Sequence, residues 1–97
     1  MSKNYEQLKD MLMVTGYDVS IFEDTITADI IGEYFLVDTN NQDFSISVFQ
    51  EDNRKDDGRV EVLVEERIES DWHEVDQKYY KTSKGAYKFI TKLLAEL

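Results

Sequence analysis

The stretch VEVLVEERI, residues 60–68, decides the fold class. Val60, Val62 and Val64 alternate with mostly charged residues, and this period of two is typical of a β-strand with one buried face. The opposite side of the strand carries the outward residues Glu61, Leu63, Glu65 and Arg67. A strand that is apolar on one side and charged on the other predicts an antiparallel sheet with one face left partly open.

Period-two alternation recurs on both sides of this stretch. Further strands are predicted at residues 17–21, 26–30, 34–38, 44–49 and 72–80, the last being less regular than the others. Tight turns are predicted at Glu23-Asp24 and at Gly32-Glu33, where polar residues or glycine interrupt the apolar pattern. The connections are short, so the sequence predicts a meander of about five to six strands.

A helix is predicted at each end of the chain. Near the N-terminus, Tyr5, Leu8 and Leu12 recur at helical spacing, and Gly16 ends the segment. Near the C-terminus, Thr82 or Ser83 can cap a helix whose apolar stripe contains Ala86, Phe89, Ile90, Leu93, Leu94 and Leu97. We therefore expect a single α+β domain, residues 1–97, with both helices packed on one face of the sheet.

Composition excludes several classes of chemistry. The 97 residues contain no cysteine, which excludes disulfides, thiolate nucleophiles and cysteine-based zinc sites. The first residues lack the apolar run of a signal peptide, and no segment approaches the eighteen apolar residues of a membrane span. The expectation is a cytoplasmic protein that does not contact membranes.

The net charge of −10 is unevenly distributed. Residues 1–50 and 51–76 each carry a net −7, whereas residues 77–97 carry a net +4 from five lysines and one glutamate. The lysines are interpreted as the solvated face of the final helix. The acidic body repels phosphate backbones and attracts basic protein surfaces, so a basic protein is the expected partner and direct nucleic-acid binding is not expected.

Two segments contain residue types that bind metal ions. His73 is the only histidine, and Glu69 and Asp71 would share its face if residues 69–73 stayed extended. The alternative is a titrating surface histidine beside acids. The segment DNRKDDG, residues 52–58, departs from a calcium loop because Lys55 and Val64 fall where oxygen ligands belong. No catalytic, cofactor-binding or metal-binding residue is predicted, and we expect a protein that is not an enzyme and needs no cofactor.

The acidic surface has the strongest functional potential. Eight residues are predicted to form a partner-binding face: Glu61, Glu65, Glu69, Asp71, Trp72, Glu74, Asp76 and Tyr80. Four of the carboxylates would form a row along a strand spanning residues 60–71, with a spacing that suits a groove built for phosphates. The two aromatic residues would anchor the contact.

In size, acidity, lack of cysteine and α+β organisation, the chain resembles small acidic inhibitors from phages and mobile elements, such as anti-CRISPR and anti-restriction proteins. It is similar also to cytoplasmic immunity proteins that neutralise basic nucleases. The resemblance implies a non-enzymatic inhibitor that docks on a nucleic-acid enzyme, partly as a DNA mimic. It covers composition over the whole chain and assigns no residue.

Two other interpretations follow from the same pattern. The chain could be a small structural domain that forms a homo-oligomer by burying Leu63, Phe49 or Tyr80 on the open sheet face. It could instead be an immunity protein or antitoxin that neutralises a basic toxin. Light scattering separates the first of these from a free binding face.

Overall fold

The computed structural model contains a five-stranded antiparallel sheet whose strands follow their order in the chain. It describes the backbone of residues 3–27, 30–50 and 59–97, and the side chains of these ranges apart from 24–27 and 30–32. The elements are α1 (Lys3–Thr15), β1 (Val19–Thr27), β2 (Ile30–Val37), β3 (Phe44–Gln50), β4 (Val60–Ile68), β5 (Asp71–Tyr80) and α2 (Ser83–Glu96). The predicted meander between two helices is confirmed.

Both helices cover the same face of the sheet, here called the inner face. The apolar positions of β4 point to this side, as the period of two predicts, and β2 and β3 contribute their alternate apolar residues. The buried cluster consists of Tyr5, Leu8, Leu12, Phe35, Val37, Ile46, Val48, Val60, Val62, Ala86 and Ile90. Burying these side chains supplies most of the favourable free energy of folding.

The helix ends follow the predicted signals. Gly16 has a φ of 105° and its N–H binds the carbonyl of Met13 (3.1 Å), so glycine ends α1 in a conformation that other residues adopt only with strain. Thr82 caps α2, because its hydroxyl accepts a hydrogen bond from the N–H of Gly85 (3.1 Å).

Polar contacts join the two helices side by side. The Ser83 hydroxyl donates to Oε1 of Gln7 (3.1 Å), and the hydroxyls of Thr15 and Tyr87 lie 2.8 Å apart. These bonds span more than seventy residues of sequence. They fix the position of one helix against the other above the inner face.

Both turns predicted before residue 34 are wrong. β1 runs through Glu23 and Asp24 without a break, and β2 runs through Gly32 and Glu33, so that Glu23 is the register partner of Glu33 and Asp24 of Gly32. β1 ends at Thr27 and β2 begins at Ile30, and the residues between them lie outside the described part of the chain. The described residues of the predicted strand 26–30 are therefore divided between β1 and β2, and the described sheet has five strands, within the predicted five to six.

Glu33 can occupy an inner-face strand position because α1 supplies partners for its carboxylate. Tyr5 donates its hydroxyl to Oε2 of Glu33 (2.8 Å), and the Lys9 ammonium lies 3.1 Å from the same oxygen. Partial burial by itself raises the pKa of Glu33, but these hydrogen bonds outweigh burial and hold the pKa below its usual value. The polar residue that indicated a turn is a satisfied contact between helix and sheet.

The β4–β5 hairpin also differs from the prediction. β4 ends at Ile68, and Glu69 and Ser70 form a two-residue turn in which both φ angles are positive, 52° and 74°. Two positive φ values in a two-residue hairpin are typical of a type I′ turn, whose twist matches that of the strands. The predicted strand over residues 60–71 is therefore wrong at its end, because β4 ends three residues earlier, at Ile68, and the chain reverses at Glu69 and Ser70.

A β-bulge divides β5 into two parts. Val64 is the register partner of Asp76, whereas Glu65 is the partner of Glu74, so Val75 is an extra residue. A bulge of one residue reverses the alternation of side chains between the two faces. Glu74 and Asp76, predicted to share a face, therefore lie on opposite faces.

Within the described ranges, no helix is long and apolar enough to cross a membrane.

Candidate protein-binding face

The side of the sheet opposite both helices, here called the outer face, has no covering element within the described residues. Large aromatic side chains lie exposed on it: Phe22 is 40% exposed, Trp72 46% and Tyr79 50%. Phe22 lies on one edge strand, and Trp72 and Tyr79 lie on the other, so exposed aromatic side chains occur at both edges of this face. The outer face is therefore the leading candidate for a functional surface.

Three stacked aromatic rings cross the outer face from β1 to β3. Phe22 is the register partner of Tyr34, which is in turn the partner of Phe49. The ring centroids are 5.4 Å apart in the first pair and 5.1 Å in the second, with interplanar angles of 19° and 24°. Stacking fixes the orientation of the rings before any partner arrives, which lowers the entropy cost of binding.

The same line of register continues into a polar region. Glu61 on β4 is the partner of Phe49, and Tyr79 on β5 is the partner of Glu61. Gln77 holds this region together, because its Nε2 donates to Oε2 of Glu61 (2.7 Å) and lies 3.3 Å from the Tyr79 hydroxyl. Across the strands from β1 to β5, the outer face thus changes from aromatic residues to a mixture of acidic and polar residues.

Two carboxylates lie opposite each other on this surface. Glu65 on β4 and Glu74 on β5 are register partners, and Ser45 is the partner of Glu65 on its other side. Directly opposed side chains on antiparallel strands have Cβ atoms about 5 Å apart, and two like charges in this position destabilise the sheet. A cation bound from outside would relieve this repulsion.

Arg67 reduces the negative charge at one end of the outer face. It is the register partner of Trp72, and its Nη2 lies 3.1 Å from Oδ1 of Asp43. The Arg67 N–H also donates to the Asp43 carbonyl (2.7 Å). The guanidinium is therefore engaged by Asp43.

The structure separates the eight predicted partner-binding residues into three groups. Glu61, Glu65, Trp72 and Glu74 lie on the outer face. Glu69 lies in the hairpin turn, and Asp71, Asp76 and Tyr80 belong to the inner-face register. The predicted row of four carboxylates on one strand face is wrong, because the chain reverses at Glu69 and the bulge changes the alternation.

Tyr80 serves the core rather than the outer face. Its ring packs against Phe89 of α2, with 5.7 Å between centroids, and its side chain is partly buried. Burial, with a smaller contribution from the nearby charge of Asp76, raises the pKa of Tyr80. Of the two aromatic anchors predicted, the outer face contains Trp72 and lacks Tyr80.

His73 does not share a strand face with both acids considered beside it. His73 is the register partner of Glu66, and Asp71 follows the same inner-face alternation, but Glu69 lies in the turn. Over the described ranges, no three His, Cys, Asp or Glu side chains are grouped closely enough to hold a metal ion. The calcium-loop segment, residues 52–58, lies outside those ranges.

The stacked pair Phe22 and Tyr34 was not found by sequence reasoning. The two turns predicted before residue 34 placed these residues at the ends of different hairpins. The continuous strands β1 and β2 instead pair them directly. Nothing in the local sequence marks this pairing, since it depends on a register set by core residues and by the contact of Glu33 with α1.

Comparison of the chain with protein-family models, with curated proteins and with solved structures finds no match.

Proposed function

We propose that this protein is a non-enzymatic binding protein that docks through its outer face onto a basic surface of another protein. The observation that carries the proposal is the combination of a row of stacked aromatic rings, of which Phe22 is exposed, with an opposed pair of carboxylates on the face that no described element covers. Aromatic anchors supply affinity at the centre of protein interfaces, and complementary charge speeds association and selects the partner.

The charge of the chain favours a basic partner. A protein with a net charge of −10 attracts cationic surfaces over distances set by the ionic strength. Glu65 and Glu74 would each gain an attractive contact when a lysine or arginine lies between them. A nucleic-acid-binding enzyme offers such a surface, which is consistent with inhibition of the anti-CRISPR or immunity type.

The proposal does not depend on mimicry of a phosphate row. With Glu69 in the turn and Asp71 on the inner-face register, Glu61 and Glu65 are the row members that remain on the outer face. The proposed contact surface is compact and consists of aromatic and acidic residues, whereas the predicted surface was an extended row of carboxylates along one strand. The partner is accordingly expected to contribute apolar as well as basic residues.

A pair of double variants tests the proposal. Partners retained by the wild-type protein would be identified by mass spectrometry and purified, and their association with the Glu65→Lys/Glu74→Lys variant would then be measured. The control is Asp10→Lys/Glu96→Lys, which makes the same change in net charge at exposed positions on the helices. We expect the outer-face variant to slow association and to reduce its salt dependence much more than the control does. Equal effects of the two variants would contradict the proposal.

A homo-oligomer is the second candidate, and the aromatic row favours it. Phe22, Tyr34 and Phe49 could pack against the same residues of a second copy. Light scattering over a range of concentrations measures this directly. A stable dimer that Phe49→Lys dissociates would favour this candidate, because the face would then be occupied by the protein itself.

A further inference from the structure

The outer face contains an open groove of about 910 Å³ at the end where β1 begins and β2 ends. Its floor includes the small or medium-sized side chains of Ser20, Leu36 and Ser45, and Trp72 of β5 contributes to its lining. The groove is shallow and open to solvent, so it can receive a side chain presented by another protein.

The charged lining of the groove is entirely acidic. Asp18 and Asp38 are both exposed, and the N–H of Asp38 binds the carbonyl of Asp18 (3.0 Å), which brings the two residues side by side. Among the described residues of the lining there is no lysine or arginine, and the remaining polar residues are neutral: Ser20, Thr39, Asn40, Asn41, Gln42 and Ser45. Arg67 lies beside Trp72 but is paired with Asp43. The charge of the groove is therefore complementary to a cation.

The β2–β3 connection that borders the groove is fixed by its own hydrogen bonds. The buried hydroxyl of Thr39 lies 2.8 Å from the carbonyl oxygen of Asn41 and 3.1 Å from that of Phe44. Asp38 Oδ1 accepts a hydrogen bond from the N–H of Asn40 (3.0 Å). This border is held in place without a ligand, so binding requires little further ordering.

We propose that this groove binds an arginine side chain of the partner, and this inference rests on the proposed function. A guanidinium is planar, so it can stack on the exposed indole of Trp72, while the negative charges of Asp18 and Asp38 on the opposite side of the groove attract it. A lysine ammonium matches the charge but neither stacks nor donates in a planar fork. The groove therefore selects arginine over lysine.

The test uses short peptides instead of an unidentified partner. Trp72 is the only tryptophan, so its indole N–H resonance in an isotopically labelled sample reports on the groove without ambiguity. The probes are acetyl-Gly-Arg-Gly-amide and the same peptide with lysine or with citrulline, the neutral counterpart of arginine. We expect a saturable shift with arginine, and binding weaker by about fivefold with lysine or citrulline.

Paired variants separate the groove from diffuse attraction. Asp18→Asn/Asp38→Asn should weaken binding of the arginine peptide by about fivefold, whereas Asp10→Asn/Glu96→Gln, with the same change in net charge, should leave it unchanged. The inference is overturned if the arginine peptide gives no saturable shift, if both double variants weaken binding equally, or if lysine or citrulline binds as tightly as arginine.

The outcomes of these experiments distinguish an error in the groove assignment from an error in the proposed function. If a protein partner depends on Glu65 and Glu74 but the arginine peptide does not bind, the proposed function stands and the groove assignment is wrong. If the peptide binds while association with every captured partner is equally sensitive to the outer-face and control variants, the groove takes arginine and the proposed function is wrong.

Discussion

Glu65 and Glu74 are directly opposite each other on adjacent antiparallel strands, on the face that no helix covers. The pair weakens the unbound protein, since like charges at this spacing repel. Under the proposed function, one cation of the partner interacts with both carboxylates in the bound state. The cost of the pair to stability and its proposed contribution to binding can each be measured.

Replacing Glu74 with lysine should stabilise the free protein. Glu74→Lys converts a repulsive cross-strand pair with Glu65 into an attractive one, for which we expect a gain of about 0.5 to 1 kcal/mol in the free energy of unfolding. Urea denaturation measures it. Glu74→Gln, which removes the repulsion without adding attraction, should give about half the gain. Unchanged stability in both variants would show that the two carboxylates do not interact.

The hydroxyl of Tyr5 should contribute measurably to stability. Tyr5→Phe removes the 2.8 Å bond to Glu33 from a side chain that is completely buried, and we expect a loss of about 1 to 2 kcal/mol in the free energy of unfolding. The matched control is Tyr87→Phe, which removes an exposed hydroxyl contact with Thr15 and should cost less. Equal losses would contradict the role assigned to the Glu33 contact.

Stability should fall in acid partly through Glu33. The pKa of this carboxyl is held below its usual 4.5, so its bonds contribute fully above that value, and the contribution is lost as the pH falls through the folded-state pKa. The stability difference between wild type and Glu33→Gln should therefore shrink as the pH is lowered from about 6 towards 3. A difference that stays constant over this range would show that Glu33 does not titrate as the structure indicates.

The hairpin turn offers a stabilising change away from the outer face. Ser70 has a φ of 74°, a conformation that glycine adopts without strain, so Ser70→Gly should raise the free energy of unfolding by about 0.5 to 1 kcal/mol. The control Ser20→Gly places glycine in the extended strand β1 and should destabilise. Partner association should be unchanged in Ser70→Gly. A slower association would place the turn within the binding surface.

The sequence predicted those elements of the fold that depend on local patterns of residues. The apolar stripe of α2, the glycine after α1 and the valines of β4 each carry a periodic or local pattern that needs no knowledge of distant residues. The strand position of Glu33 was not predicted, because its partner Tyr5 is 28 positions away in the sequence. A single glutamate next to glycine instead indicates a turn.

The candidate face was predicted in part. The outward positions of β4 were correct, and so was the exposure of Trp72. Glu69 and Ser70 lack the asparagine and glycine that normally mark a type I′ turn, so the strand was extended too far. The bulge at Val75 leaves no signature in a sequence that alternates poorly, and it moved Asp76 and Tyr80 to the other face.

The chain-order sheet has a consequence for how the protein folds. Each strand pairs with its immediate neighbour in sequence, so the sheet can form by successive closure of short loops, each with a small entropy cost. The contacts of Gln7 with Ser83 and of Thr15 with Tyr87 instead join residues 76 and 72 positions apart. Docking of the first helix beside the last is thus the long-range step, and native-state hydrogen exchange should find α1 opening before the central strands.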